Sequence, residues 1–281
     1  MIKSIHSIET GKFKLDGGAM FGVVPKSMWN KLNPSDENNM CTWALRCLLI
    51  ITEDRNILVD TGMGNKQDEK FRSHFSPHEE ISFSNSLGQH GLGVEDITDV
   101  FLTHLHFDHC GGAISYNENK ELVPTFPKAR YWSNKSHWSW AFNPNEREKN
   151  SFLKENFVPL EQWNILNFIV EVFDSVEFIP GIKIHFFSGH TKSMMGLEMD
   201  CQGQKYFYTA DLFPSSYHLP IPYVMAYDVN PLVSLIEKKK LLDLAFQNQA
   251  IIIFEHDPTH IACTLKRNDH GKIVIDEYIN L

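Results

Sequence analysis

The sequence predicts a layered α/β fold, and three observations carry that expectation. Short apolar runs bounded by turn formers or charges recur along the chain. Segments with helical apolar spacing lie between them. Metal-friendly side chains stand just after several of the runs, where a sheet of this class delivers its functional loops.

In chain order the runs are Thr42 to Thr52, Asn56 to Asp60, Asp99 to Thr103, Ala129 to Ser133, Lys183 to Ser188, Lys205 to Thr209 and Ala250 to Glu255. Each reads as a buried strand. Asn150 to Phe168 places Phe152, Leu153, Phe157, Leu160, Trp163 and Leu166 at helical spacing. Pro231 to Gln247 opens with a proline suited to a first helical turn. Strands mixed with helices throughout predict α/β (α+β) architecture, with helices covering sheets. No repeat, low-complexity tract or Gly/Ser linker marks a boundary, so 1–281 is read as a single domain.

Composition narrows the function classes. Over 281 residues, 42% are hydrophobic and 22% charged, as expected of a globular chain with a real core. The net charge of −9 argues against a nucleic-acid or anionic-membrane surface, which calls for a basic patch. No apolar run reaches membrane-spanning length. The opening MIKSIHSIETGKFKLDG lacks the apolar core of a signal peptide, so a cytoplasmic location is expected. Five cysteines, odd in number and without a CxxC pair, do not form a disulfide framework. Most of them are expected to be buried thiols, with Cys110 a minor ligand candidate beside the cluster described next. His6, His74, His78, His90, His137, His185, His260 and His270 read as surface or packing residues. The run Glu237-Lys-Lys-Lys240 reads as a solvated helix face.

The stretch THLHFDHCGG (103–112) places three histidines and an aspartate within six residues. As core packing it would be expensive, because each buried imidazole or carboxylate needs a partner. Apolar Val100, Phe101 and Leu102 end at Thr103, and a strand stopping there sends His104 and His106 to the same side. Asp108 and His109 follow in the turn, and Gly111–Gly112 permit a tight backbone beyond it. Four ligands cannot close two metal sites. His190, Asp211 and His256, each after an apolar run, are the candidates for the rest. Imidazole nitrogen and carboxylate oxygen suit zinc, with iron, manganese and cobalt as alternatives.

At these residues the chain resembles the metallo-β-lactamase fold family. HLHFDH is similar to its HxHxDH signature, and His190, Asp211 and His256 match its later ligand positions in order and approximate spacing. The resemblance covers essentially the whole chain. It implies an αββα sandwich, two mixed sheets flanked by helices, with two metals at one edge. It further implies that His104, His106 and His190 hold one metal, that Asp108, His109 and His256 hold the second, and that Asp211 bridges them. The segments Asp16 to Lys26, Val59-Asp-Thr-Gly62, Ala210-Asp-Leu-Phe-Pro214 and Ala226-Tyr-Asp228 resemble the quorum-quenching N-acyl-homoserine lactonase branch. Methyl-parathion-hydrolase-like enzymes are near relatives of that branch. Two positions depart from its pattern. The usual GHTxGH reads Gly189-His-Thr-Lys-Ser-Met194, without the second histidine, and Pro214 stands where well-known lactonases carry a tyrosine. Tyr217, His218 and Tyr223 are the candidates to substitute.

The resemblance implies a zinc-dependent hydrolase that opens the lactone ring of N-acyl-homoserine lactones by a metal-bridging hydroxide. Asp108 is expected to orient the nucleophile and carry a proton to the leaving oxygen. Asp60 is expected outside the ligand sphere, accepting an N–H from a ligand histidine. Phe21, Met28, Trp29 and the run containing Trp138 are expected either to line an acyl pocket or to pack the core. The same fold supports organophosphate, phosphodiester and thioester hydrolysis. A di-iron redox protein is a less favoured reading, because that class carries a glutamate where this chain has His106. A catalytically silent metal binder is another. The expected partner is a small lactone or ester, with neither nucleic acid nor membrane. Relatives are often dimers, so a homodimer is one expected assembly.

Overall fold

All seven apolar runs form strands, each within two residues of the expected ends. The computed structural model describes residues 1–172 and 175–281. The chain clusters into two compact units, Met1–Gly11 with Leu45–Phe173, and Lys12–Ala44 with Asp174–Leu281. The divide passes through two long strands, Ile2–Asp16 and Met40–Thr52, so each unit is built from two separate stretches of chain.

In the first unit the second of those strands pairs antiparallel with Asn56–Val59. Asn56–Val59 runs parallel to Asp99–Phe101, which runs parallel to Arg130–Asn134, which runs parallel to Leu166–Ile169. Parallel strands are covered on their faces, and Leu58, Val100, Leu102 and Tyr131 pack without exposure against Leu87, Trp138 and Ala141 of the covering helices. Burying a leucine or valine side chain of this kind stabilises the fold by about 1.5–3 kcal/mol.

The second unit is a meander of Ser175–Ile179, Ile182–Phe187, Met194–Cys201 and Gln204–Tyr208. Gln204–Tyr208 then pairs in parallel with Ile251–Ile253. The connection between this parallel pair contains the helix Pro231–Gln247, with the proline in its first turn as expected. Ala262–Arg267 and Ile273–Ile279 complete the sheet in antiparallel order. Sheets flanked by helices make this a mixed α/β fold. Among the described residues, no helix is long and apolar enough to cross a membrane.

Two expectations are corrected. Asn150 to Phe168 is not one helix but a 3₁₀ turn at Lys154–Asn156, a short helix at Val158–Gln162 and the strand Leu166–Ile169. Pro159 is tolerated only in a first turn, and Asn164 at φ 57° breaks the helical path before the strand begins. The run Glu237 to Lys240 is not uniformly solvated. Lys239 and Lys240 are exposed, but Lys238 is 1% exposed and donates to the carbonyls of Pro220 (3.1 Å) and Tyr223 (2.7 Å).

Candidate metal centre

The cluster begins where parallel strands end. Asp99–Phe101 stops two residues before Thr103, and His106 is the N-cap of the short helix Phe107–Cys110, so Asp108 and His109 lie on its single turn. The glycines after it are required by contact. A Cβ on Gly111 would stand 2.0 Å from the Met63 carbonyl oxygen, and one on Gly112 would stand 2.1 Å from that of Thr61. This close approach lets the Thr61 N–H (2.7 Å) and hydroxyl (3.0 Å) donate to the His109 carbonyl. Lys66 also donates to the Gly111 carbonyl.

Buried Asp60 follows the neighbouring strand Asn56–Val59, in the left-handed region at φ 59°. A non-glycine residue there costs about 1–2 kcal/mol, and the surrounding bonds hold it. Its carboxylate accepts from the Thr103 N–H (2.8 Å) and hydroxyl (2.7 Å) and lies 3.2 Å from His109 Nδ1. A carboxylate only accepts, so His109 carries its proton on Nδ1 and turns Nε2 outward as a base. His106 Nε2 lies 3.6 Å from the carboxylate of buried Glu148, which also accepts from Trp140 Nε1 (2.7 Å) and Asn145 Nδ2 (2.6 Å). His137 Nε2 accepts the Leu105 N–H at 2.8 Å, pinning the backbone between His104 and His106.

The later candidates are held by the same logic. His190 Nδ1 lies 2.9 Å from Asp228 Oδ1, and its Nε2 lies 3.2 Å from Asp211 Oδ2. His256 Nδ1 donates to the Ala44 carbonyl at 2.8 Å, while its Nε2 lies 3.1 Å from Asp211 Oδ1. Asp211 therefore presents one oxygen to each imidazole. It follows Ala210, another non-glycine residue in the left-handed region (φ 45°). The His256 N–H donates to the Pro214 backbone carbonyl at 2.8 Å, which helps seat a candidate ligand.

Among the described residues, ligand atoms within 4.8 Å of one another form four groups that could hold a metal ion: His104, His106 and His190; His104, His109 and Asp211; Asp108, His109 and His256; and Asp60, His109 and Glu255. All these residues are buried. Nitrogen and carboxylate donors of this kind fit divalent transition ions. Cys110 is in none of the groups. Burial pushes its thiol up to about 12, and it donates to the Leu105 carbonyl.

The sequence-named aromatics lie in varied settings. Phe21 and Trp29 are buried and stack on one another at 5.3 Å, while Met28 is 51% exposed. Trp138 packs in the first unit's core. His218 is buried and stacks on Phe21 at 5.0 Å. Both its nitrogens are engaged, by the Ser215 hydroxyl (2.7 Å) and the Met20 carbonyl (2.9 Å). Burial pushes its pKa down to about 3, so it is neutral. The Tyr217 hydroxyl bonds Thr259. Sequence reading passed over Phe71 and Phe75, which pack against Phe107 of the ligand-bearing helix at 5.2 and 4.5 Å. It also gave no site role to Glu148, Asp228 or Glu255.

The metallo-beta-lactamase superfamily profile matches residues 46–256. The chain belongs to that superfamily. The N-acyl homoserine lactonase AiiA of Bacillus thuringiensis subsp. kurstaki is 24% identical over 269 residues, covering 91% of this chain and 94% of that protein. A probable metal-dependent hydrolase from Staphylococcus aureus superposes with a TM-score of 0.89 at 32% identity, covering 100% and 98% of the two chains. AidC, a dizinc quorum-quenching lactonase in complex with its product, superposes at 0.76 with 20% identity, covering 100% and 97%. The chain is thus a metallo-hydrolase-superfamily member with histidine–aspartate clusters able to bind two metals.

Proposed function

We propose that this metallo-beta-lactamase-fold protein is a dinuclear-metal lactonase acting on N-acyl-homoserine lactones. His104, His106 and His190 would hold one ion and Asp108, His109 and His256 the other, with Asp211 available to both. The observation that carries this reading is the pair of buried ligand groups with Asp211 facing both His190 and His256. The lactonase relatives, and a neighbour solved with its product, support the substrate class. Zinc is the proposed metal, since imidazole nitrogen and carboxylate oxygen are among its usual ligands.

Two such ions, when bound, supply an acidic water near neutral pH and a Lewis acid for the carbonyl. The chain's residues do the rest. Asp60, Asp228 and the Ala44 carbonyl fix the tautomers of His109, His190 and His256, keeping Nε2 basic in each. Asp108, 8% exposed, is the carboxylate that orients the nucleophile and hands a proton to the leaving oxygen. Phe71, Phe75 and Phe107 offer apolar surface beside the ligand-bearing helix for an acyl chain. Tyr223 is the proposed replacement for the tyrosine lost to Pro214, because it is half-buried while Tyr217 and His218 have their polar atoms engaged.

Metal analysis followed by turnover of homoserine lactones of graded acyl length, beside paraoxon-like and phosphodiester substrates, tests the proposal. Two metals per chain and a preference for the lactones are expected. Faster turnover of a phosphotriester overturns the substrate class.

A further inference from the structure

The first turns of the helix Pro231–Gln247 spend three polar side chains on one short loop. Ser234 is fully buried, and its hydroxyl donates to Asp228 Oδ2 at 2.5 Å. Asp228 Oδ1 in turn faces His190 Nδ1 at 2.9 Å. One turn further along, the Glu237 carboxylate accepts the N–H groups of Ser188 (2.7 Å) and Gly189 (3.0 Å), the two residues before His190. Asn230 completes the contact, its N–H donating to the Gly189 carbonyl at 2.9 Å and its side-chain amide to that of Ser188 at 3.0 Å. The loop lies so close that a Cβ on Gly189 would stand 2.3 Å from Ser234 Oγ.

A helix interior is an unusual place for this set. Serine there ordinarily bonds back to its own helix. Ser234 keeps only a long contact of that kind, 3.4 Å to the Asn230 carbonyl, while lying far nearer Asp228. A carboxylate ordinarily faces water. Here burial raises the Glu237 pKa, and the two N–H donors counter it only in part. Polar groups kept where apolar packing would serve point to a positioning task.

We infer that Ser234 and Glu237 are positioning residues for His190: the serine aligns Asp228 so that it holds His190 as the Nδ1–H tautomer, and the glutamate fixes the backbone that carries the ring. The inference rests on the proposed function, because it takes His190 as a ligand of the metal held with His104 and His106. It adds the specific claim that this helix tunes one metal of the two. An outer carboxylate partner of a ligand histidine is worth about 10- to 100-fold in metal affinity. Ser234→Ala, which leaves the carboxylate but frees its orientation, is expected at the lower end of that range.

The test is chelator competition on the metal-loaded protein, following release of each ion, for wild type, Ser234→Ala and Glu237→Gln. Proton NMR of the His190 ring N–H in wild type and Ser234→Ala accompanies it. One ion is expected to leave about 10-fold more readily from each variant while the other is unchanged, and the His190 Nδ1–H signal is expected to broaden or shift in Ser234→Ala. Equal weakening of both ions marks general destabilisation and overturns the inference, as does unchanged release. A wild type that binds no metal overturns this inference and the proposed function together. Selective release without lactone turnover in wild type sustains the positioning role and sinks only the substrate assignment.

Discussion

Asp108 stands at the point where binding a cation and moving a proton part company. Its carboxylate is grouped with His109 and His256, and Oδ2 lies 3.8 Å from His109 Nε2. Asn at this position keeps a carbonyl oxygen to offer a metal but cannot take up a proton at neutral pH. Asp108→Asn is therefore expected to lower turnover by about 10²–10⁴-fold, the usual worth of a positioned acid–base group. Metal content measured on the same sample separates loss of the ion from loss of the proton carrier, and near-wild-type turnover with Asn at 108 removes Asp108 from the mechanism. The candidate ligands were legible because ligand chemistry confines the choice to histidine and carboxylate, and each follows an apolar run. Their supports were not. Glu148 and His137 lie far from HLHFDH in sequence, Asp228 stands in a segment that carried only a resemblance and no role, and their partners emerge only when His106, Leu105 and His190 are brought alongside.

Legibility varied with what holds each element in place. Strands such as Asn56–Val59 and Ile251–Ile253 are buried on both faces, so continuous apolar runs mark them. Ile2–Asp16 carries charges and a histidine between its buried positions and is interrupted by Gly11, so no such run announces it. In the helix Pro231–Gln247, apolar spacing located the element but could not reveal that Lys238 joins Leu241, Leu242 and Ala245 on the buried side. That burial lowers the Lys238 pKa from its ordinary 10.5 to about 7. Between those values the unfolded chain binds the proton and the folded chain does not, so stability rises with pH from about 7 upward. The full penalty is present below that. Wild type is expected to gain about 2 kcal/mol from this group between pH 7 and 9. Lys66, lowered to about 8 by burial, adds to the same trend, and the buried cysteine thiols reverse it only above their ordinary value of 9.0. Urea unfolding at pH 7, 8 and 9 checks this. Lys238→Met should flatten the slope relative to wild type under identical metal conditions, and an unchanged slope refutes the assignment.

At the scale of the whole chain, seven candidate ligands come from segments near residues 104–109, 190, 211 and 256, while the superfamily profile spans 46–256. An unfolded chain does not hold such residues together, so an ion that engages them binds the folded state almost alone. It then stabilises that state by RT ln(1 + [metal]/Kd), about 2.7 kcal/mol per site at a hundredfold excess over Kd. Two sites together give about 5 kcal/mol, and for a protein of this size each kcal/mol moves the melting temperature by about 2–4 °C. Removing both ions with a chelator is thus expected to lower the melting temperature by about 10–20 °C, and adding zinc back should restore it in proportion to the logarithm of free metal. The same titration with manganese, cobalt and ferrous iron orders their affinities in one experiment, which ligand chemistry alone leaves open among zinc, iron, manganese and cobalt. A melting temperature indifferent to verified removal of the metal means that the clusters bind weakly or hold ions unconnected to the fold. In that event the dinuclear assignment fails even though the superfamily membership stands.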